Sequence, residues 1–210
     1  MPGWIRRPFS AAGLTQIPTG PHLGALQGRF GGTVMLCIDV SGSMYGQPLH
    51  EAIRGAAQFV AEAVAAHYQA GVLLWNTDVA ALAEPSADGA AASQLLGSAG
   101  QAYGGTSLLA PLQRCHQILG CHSGDRVVAI FGDGDLGPRE RVLAKVAEMK
   151  ADGIRFVTRG LGVQAAAEFA EVSSEDLADV EVGDVADLAA GIAGMAASLG
   201  PQRPPPSGGG

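Results

Sequence analysis

The sequence predicts an α/β fold: a doubly wound, mostly parallel central sheet with helices on both faces, of Rossmann-like character. Three observations predict it. Short apolar runs alternate along the chain with segments of helical periodicity, which is the order that strands joined by crossover helices require. Those runs are near-continuously apolar rather than alternating, as strands buried on both faces are. A chain of 210 residues is also long enough for one such domain with both sheet faces covered.

The elements follow from local patterns. Residues 1–32 are rich in Gly and Pro and lack sustained periodicity, so they form an arm ahead of the domain. The stretch Gln27–Gly32 carries glycines but neither a preceding strand nor a following Lys, and reads as an entry turn rather than a phosphate loop. The first strand is expected over Val34–Asp39. Pro48 then opens a helix on which Leu49, Ile53, Val60 and Val64 share a face. His50 and His67 sit on it as solvated or packed residues. Strands are expected at Gly71–Asn76 and Val79–Ala83, with Trp75 in a packing role. Leu108, Leu112, Cys115 and Leu119 recur at helical spacing, and a strand is expected over Arg126–Phe131. Val142, Val146 and Met149 line a helix opened by Pro138 and closed near Gly153, followed by a strand over Ile154–Gly160. A last strand at Asp179–Val182 leads to Asp184, the candidate N-cap of a helix carrying Val185, Leu188, Ile192, Met195 and Leu199. The domain thus spans 33–200, and residues 201–210 form a Pro-rich then Gly-rich tail.

Composition excludes several functions. With 13 Lys+Arg against 20 Asp+Glu, a formal charge of −7 and no basic run, the chain is not built to track a phosphate backbone. Three cysteines, an odd few in this length, read as reduced thiols rather than a disulfide framework. Arg6 and Arg7 are followed by no apolar stretch of signal length, and no run reaches a membrane span, so a cytoplasmic location is expected.

The chemistry-bearing motif is Asp39-Val40-Ser41-Gly42-Ser43, directly after the first apolar run. One carboxylate and two hydroxyls at alternating positions, on a turn at the end of a buried strand, can converge on a hard cation. By itself the motif also reads as an Asx or Ser turn that satisfies only its own backbone. Two further segments favour the cation. Gly104-Gly105-Thr106-Ser107 places a hydroxyl on a tight loop before an apolar helix, and Asp133 ends the run Val127–Phe131 within Gly132-Asp133-Gly134. Loops at the carboxyl ends of neighbouring parallel strands meet at one edge, so all three segments can share a site. A helix starting just after Ser43 would add unpaired N–H groups and a positive dipole end.

On these residues the chain resembles the von Willebrand factor A domain family, and from Val34 to about Leu199 it follows that family's pattern. The family's Asp-x-Ser-x-Ser element falls on Asp39, Ser41 and Ser43, its threonine on Thr106, and its late aspartate on Asp133. Family chains usually carry Thr before the Asp-Gly pair, whereas this chain has Gly132. The segment Ser41–Leu49 also resembles small stand-alone bacterial members, including those of the tellurite-resistance type. The resemblance implies a metal-ion-dependent adhesion site that holds Mg2+, or Mn2+ in its place, with the aspartates acting mainly through water. It further implies capture of a partner protein's Asp or Glu carboxylate, and hence an adaptor or scaffold rather than a catalyst. By analogy, the partner is an ATPase or another component of a bacterial stress or defence assembly.

Two other chemistries suggest themselves in the sequence. Asp133 and Asp135, with Asp39, read as the carboxylates of a metal-dependent phosphohydrolase, but no His or Lys stands nearby in sequence to move a proton. Cys115-His116 and Cys121-His122 carry zinc-type ligands, yet the helical spacing of Cys115 points it into the core. Cys37, in mid-strand, reads as a small buried filler, and Tyr45 as a residue at the rim of the metal loop.

Overall fold

The computed structural model describes residues 31–175, 181–182 and 184–199. Strand β1 (Thr33–Asp39) is buried along its whole length and lies at the centre of the sheet. Its neighbours are β2 (Gln69–Trp75) and β4 (Arg126–Gly132), both parallel to it, with Val34 opposite Ala70 on one side and Val127 on the other. The full order is β3-β2-β1-β4-β5-β6, where β3 is Val79–Ser86, β5 is Ile154–Leu161 and β6 is Glu181–Val182. Only β3 runs antiparallel, against β2. As an edge strand it tolerates Pro85, which has no N–H to donate.

The pleat sends successive β1 side chains to opposite faces, and each face has its own core. Val34, Leu36 and Ile38 pack with α1 (Gln47–Ala65), α2 (Ala90–Ser98) and α6 (Leu188–Gly194). Met35 and Cys37 pack with α3 (Leu109–Leu119), α4 (Arg139–Ala151) and α5 (Gly162–Ala170). The doubly wound architecture expected from the sequence is therefore present. Among the described residues no helix is long and apolar enough to cross a membrane.

Several elements differ in detail from the sequence expectation. Helix α1 starts at Gln47, not just after Ser43, because a short 3₁₀ turn over Gly42–Met44 intervenes. His67 lies beyond the end of α1, at φ 65°. The final apolar stripe does not form one helix. A 3₁₀ turn at Val185–Asp187 precedes α6 and another at Met195–Ser198 follows it, the interior glycines Gly191 and Gly194 lowering helical stability. The capping prediction is met, since Asp184 accepts from the backbone N–H groups of Ala186 at 2.7 Å and Asp187 at 3.3 Å. Helices α2 and α5 have no counterpart in the sequence reading. Both are Ala-rich and bury few large side chains, so periodicity leaves little trace of them. Of the last strand, Asp179 and Val180 lie outside the described residues, as do residues 1–30 of the expected arm and the whole of the 201–210 tail.

Candidate metal centre

Asp39 ends the central strand, at the edge of the sheet where its parallel neighbours also end, and is fully buried. The chain then turns within two residues. Val40 donates to the Trp75 carbonyl at 2.7 Å, and the Ser41 N–H donates to Asp39 Oδ1 at 2.7 Å. The Asx-type turn weighed from sequence is thus real, but it uses only one carboxylate oxygen. Ser41 is itself fully buried, and its hydroxyl lies 3.0 Å from that of Ser43, which points outward into solvent.

The other two segments meet this turn through backbone hydrogen bonds. Tyr103 donates to the Val40 carbonyl at 2.9 Å, and Gly42 donates to the Gly104 carbonyl at 3.1 Å. Leu108 donates to the Leu136 carbonyl at 3.2 Å, which ties the Thr106 loop to the loop carrying Asp133 and Asp135. The structure brings Ser43, Thr106 and Asp133 to the wall of one pocket of about 480 Å3, with Asp135, Gln164 and Glu168 completing it. Asp39 and Ser41 lie beneath, held to Ser43 by the bonds already described.

Sequence reasoning did not identify four of the residues that shape this region. Gln164 and Glu168 come from α5, and the proximity of β5 to β4 in a parallel sheet was the signal that could have located them. Asn76 and Thr77, just past β2, brace the Thr106 loop. The Asn76 side-chain amide donates to the Tyr103 carbonyl at 3.1 Å, the Asn76 backbone carbonyl accepts from the Ser107 N–H at 2.8 Å, and the Thr77 hydroxyl accepts from the Gly105 N–H at 3.2 Å.

Electrostatics set the character of the pocket. Burial pushes the Asp39 carboxyl up to about 7; hydrogen bonds from Ser41 pull it part of the way back, and the negative charges of Asp133 and Asp135 push it further up. Among the described residues, Asp39 Oδ2 is buried with no hydrogen-bond partner. Gly132 lies against it: a side chain added there would stand 3.1 Å from that oxygen and 3.1 Å from the Phe169 ring. An orphaned carboxylate oxygen, three hydroxyls and a wall bearing Asp133, Asp135 and Glu168 form an all-oxygen donor set with excess negative charge, which fits a hard divalent cation. Zinc-type ligands elsewhere do not converge. Cys115 lies in the core 3.4 Å from Cys37 Sγ, Cys121 is exposed, His116 bonds Asp152 at 2.7 Å, and His122 bonds Thr33 at 3.2 Å. Trp75 is fully buried in a packing position.

Comparison with known proteins agrees with this fold. Residues 34–135 match the family model described as von Willebrand factor type A domain. No curated protein sequence matches the chain. Among solved structures, the fold is similar to the vWF domain of the type V pili tip protein Mfa5 from Porphyromonas gingivalis, with TM-score 0.70 and 13% identity over 81% of this chain and 95% of that one. It is similar also to the conserved hypothetical protein BatB from Bacteroides thetaiotaomicron, with TM-score 0.61 and 16% identity over 80% of this chain and 100% of that one. The pilus adhesin SpaC from Lactobacillus rhamnosus GG, in its open conformation, shares the fold at TM-score 0.65 and 12% identity over 79% of this chain, which spans only 29% of SpaC. All five candidate metal residues fall inside the matched segment, and the chain shares its fold with these solved structures.

Proposed function

We propose that this chain is a divalent-cation-dependent protein-binding module. Its site takes Mg2+, or Mn2+ in its place, through the hydroxyls of Ser41, Ser43 and Thr106, with Asp39 and Asp133 supplying negative charge. The observation that carries the reading is the buried, unpartnered Asp39 Oδ2 under an acidic, hydroxyl-lined pocket. A bound cation of this kind supplies a positive centre that a partner's Asp or Glu carboxylate can engage.

The chain's own residues explain why binding depends on the cation. Without it, a carboxylate entering the pocket meets Asp133, Asp135 and Glu168, and like charges a few ångströms apart repel. The same wall therefore holds the cation and rejects an anionic partner in its absence. Von Willebrand factor A domains typically mediate protein–protein interactions, which is consistent with an adaptor role and with a place in a bacterial stress or defence assembly. The phosphohydrolase reading gains no support from the pocket wall, which carries no His or Lys, while Asp135 Oδ1 is engaged by the Gly137 N–H at 2.7 Å.

The test is affinity capture from the native lysate by the full chain in three arms: with magnesium, with chelator, and with Asp39→Ala. A specific partner present in the first arm and lost in the other two is expected. A partner retained under both chelation and substitution would defeat the proposal.

A further inference from the structure

We infer that the partner engages this chain at two adjoining points, placing its carboxylate in the metal pocket and an aliphatic or aromatic side chain in an apolar groove beside it. This rests on the metal-dependent reading above and adds the chemistry of the partner segment.

Among the described residues, the exposed large apolar side chains are Tyr45 at 77%, Tyr103 at 56% and Val163 at 72% exposure. All three lie within a few residues of the candidate metal centre along the chain. Tyr45 follows Ser43 by two residues, Tyr103 precedes the Gly104–Thr106 loop, and Val163 adjoins Gln164 of the pocket wall. Isolated apolar residues scattered over a surface carry no meaning, but three on separate segments next to one pocket, Val163 at the start of α5 and the others on loops, mark an interaction rim.

Within that rim lies a groove of about 480 Å3 between the start of α1 and the end of α2, lined by Tyr45, Leu49, Ile53, Leu96 and Gly97 among others. Among the described residues no Asp, Glu, Lys or Arg lines it and His50 is its one basic side chain, in contrast to the acidic pocket next door. The groove adjoins the metal centre, because Ser43 walls one and Tyr45 the other, and two residues span at most about 7 Å. A single partner segment can therefore fill both, provided its acidic and apolar residues lie within a few positions of each other. The charged site fixes the approach and the uncharged groove selects among acidic partners.

Gly97 allows a clean test, since a side chain added there meets no atom within 4 Å and sits at the groove wall. Random peptides displayed on phage are panned against the full chain in magnesium and eluted with chelator. The expected binders carry Asp or Glu with Leu, Ile, Met or Phe within about three residues. Gly97→Phe should weaken them by about tenfold or more while magnesium uptake, read by calorimetry, is unchanged. Tyr45→Ala should weaken them in the same direction. Magnesium-dependent binders with no apolar preference, or binders indifferent to Gly97→Phe, would overturn the inference while leaving the metal reading intact. No magnesium uptake by the wild-type chain would remove both. Self-association in sedimentation that Gly97→Phe abolishes would assign the groove to a second copy and overturn the inference. Cross-links from a photoreactive residue at Tyr45 to residues 1–30 would assign it to the chain's own arm, with the same consequence.

Discussion

Asp39 carries the most information of any residue in the chain, and its legibility was uneven. The alternation of Asp39, Ser41 and Ser43 after an apolar run was readable because the pattern is local. The orphaned oxygen was not, since it depends on burial by elements distant in sequence, β4 with Gly132 among them. The raised carboxyl has a consequence for stability. An unfolded chain gives up this proton near the ordinary value of 3.8, the folded chain only near 7, so between those values the folded state binds more protons and loses stability as pH rises. The loss reaches at most about 4 kcal/mol and is complete above the folded value. Asp39→Asn cannot ionise and keeps a carbonyl for the Ser41 N–H. In chelator, its melting temperature should therefore exceed that of wild type at pH 8, with the advantage gone at pH 4. Equal melting curves for the two proteins across that range would contradict the assignment. Gly132→Ala should cost about 1–2 kcal/mol in denaturant unfolding, because its methyl group meets the buried Phe169 ring and the Asp39 carboxylate at 3.1 Å.

At the scale of elements, strands and helices that bury large apolar side chains were legible, and helices that bury mainly alanine were not. β1, β4 and β5 announce themselves as apolar runs, α1 and α3 present wide apolar faces, and α4 shows a narrow stripe of the large residues Val142, Val146 and Met149. α5 buries only Ala165, Ala166 and Phe169, so its small residues were indistinguishable from a loop. Their size has a structural use. A side chain added at Gly160 would stand 2.4–2.8 Å from the backbone of Ala165 and Ala166, so β5 and α5 are in near backbone contact. Gly160→Ala should destabilise the chain by more than about 2 kcal/mol. It should also weaken magnesium binding, because α5 supplies part of the pocket wall. A near-neutral Gly160→Ala would show that this contact is looser than described.

For the whole molecule, the topology was legible and its lacing was not. A parallel order with β1 central guarantees that the ends of β1 and β4 lie side by side, and this brings the Asp39 and Asp133 loops together. The bonds that fix the Thr106 loop, from Tyr103 to Val40, Gly42 to Gly104 and Leu108 to Leu136, join backbone groups and have no side-chain signature. Opposite the site, at the other edge of the sheet, Asp125 is clasped by Arg155 at 2.9 and 2.5 Å and by the Tyr68 hydroxyl at 2.5 Å. Burial alone would raise this carboxyl, yet those hydrogen bonds and the Arg155 charge hold it below the ordinary value. Its contribution is therefore present at neutral pH and lost as pH falls through the folded value. Asp125→Asn should lower the melting temperature at pH 7 and matter much less in strong acid.

The central claim is that residues from three loops form one cation site. Calorimetric titration of the full chain with magnesium tests it most directly, run beside Thr106→Ala and Asp133→Asn, which alter two different loops. The account predicts saturable uptake of one ion by wild type and clear weakening in both variants with their folds retained. No heat of binding, or uptake unchanged by both substitutions, would contradict it.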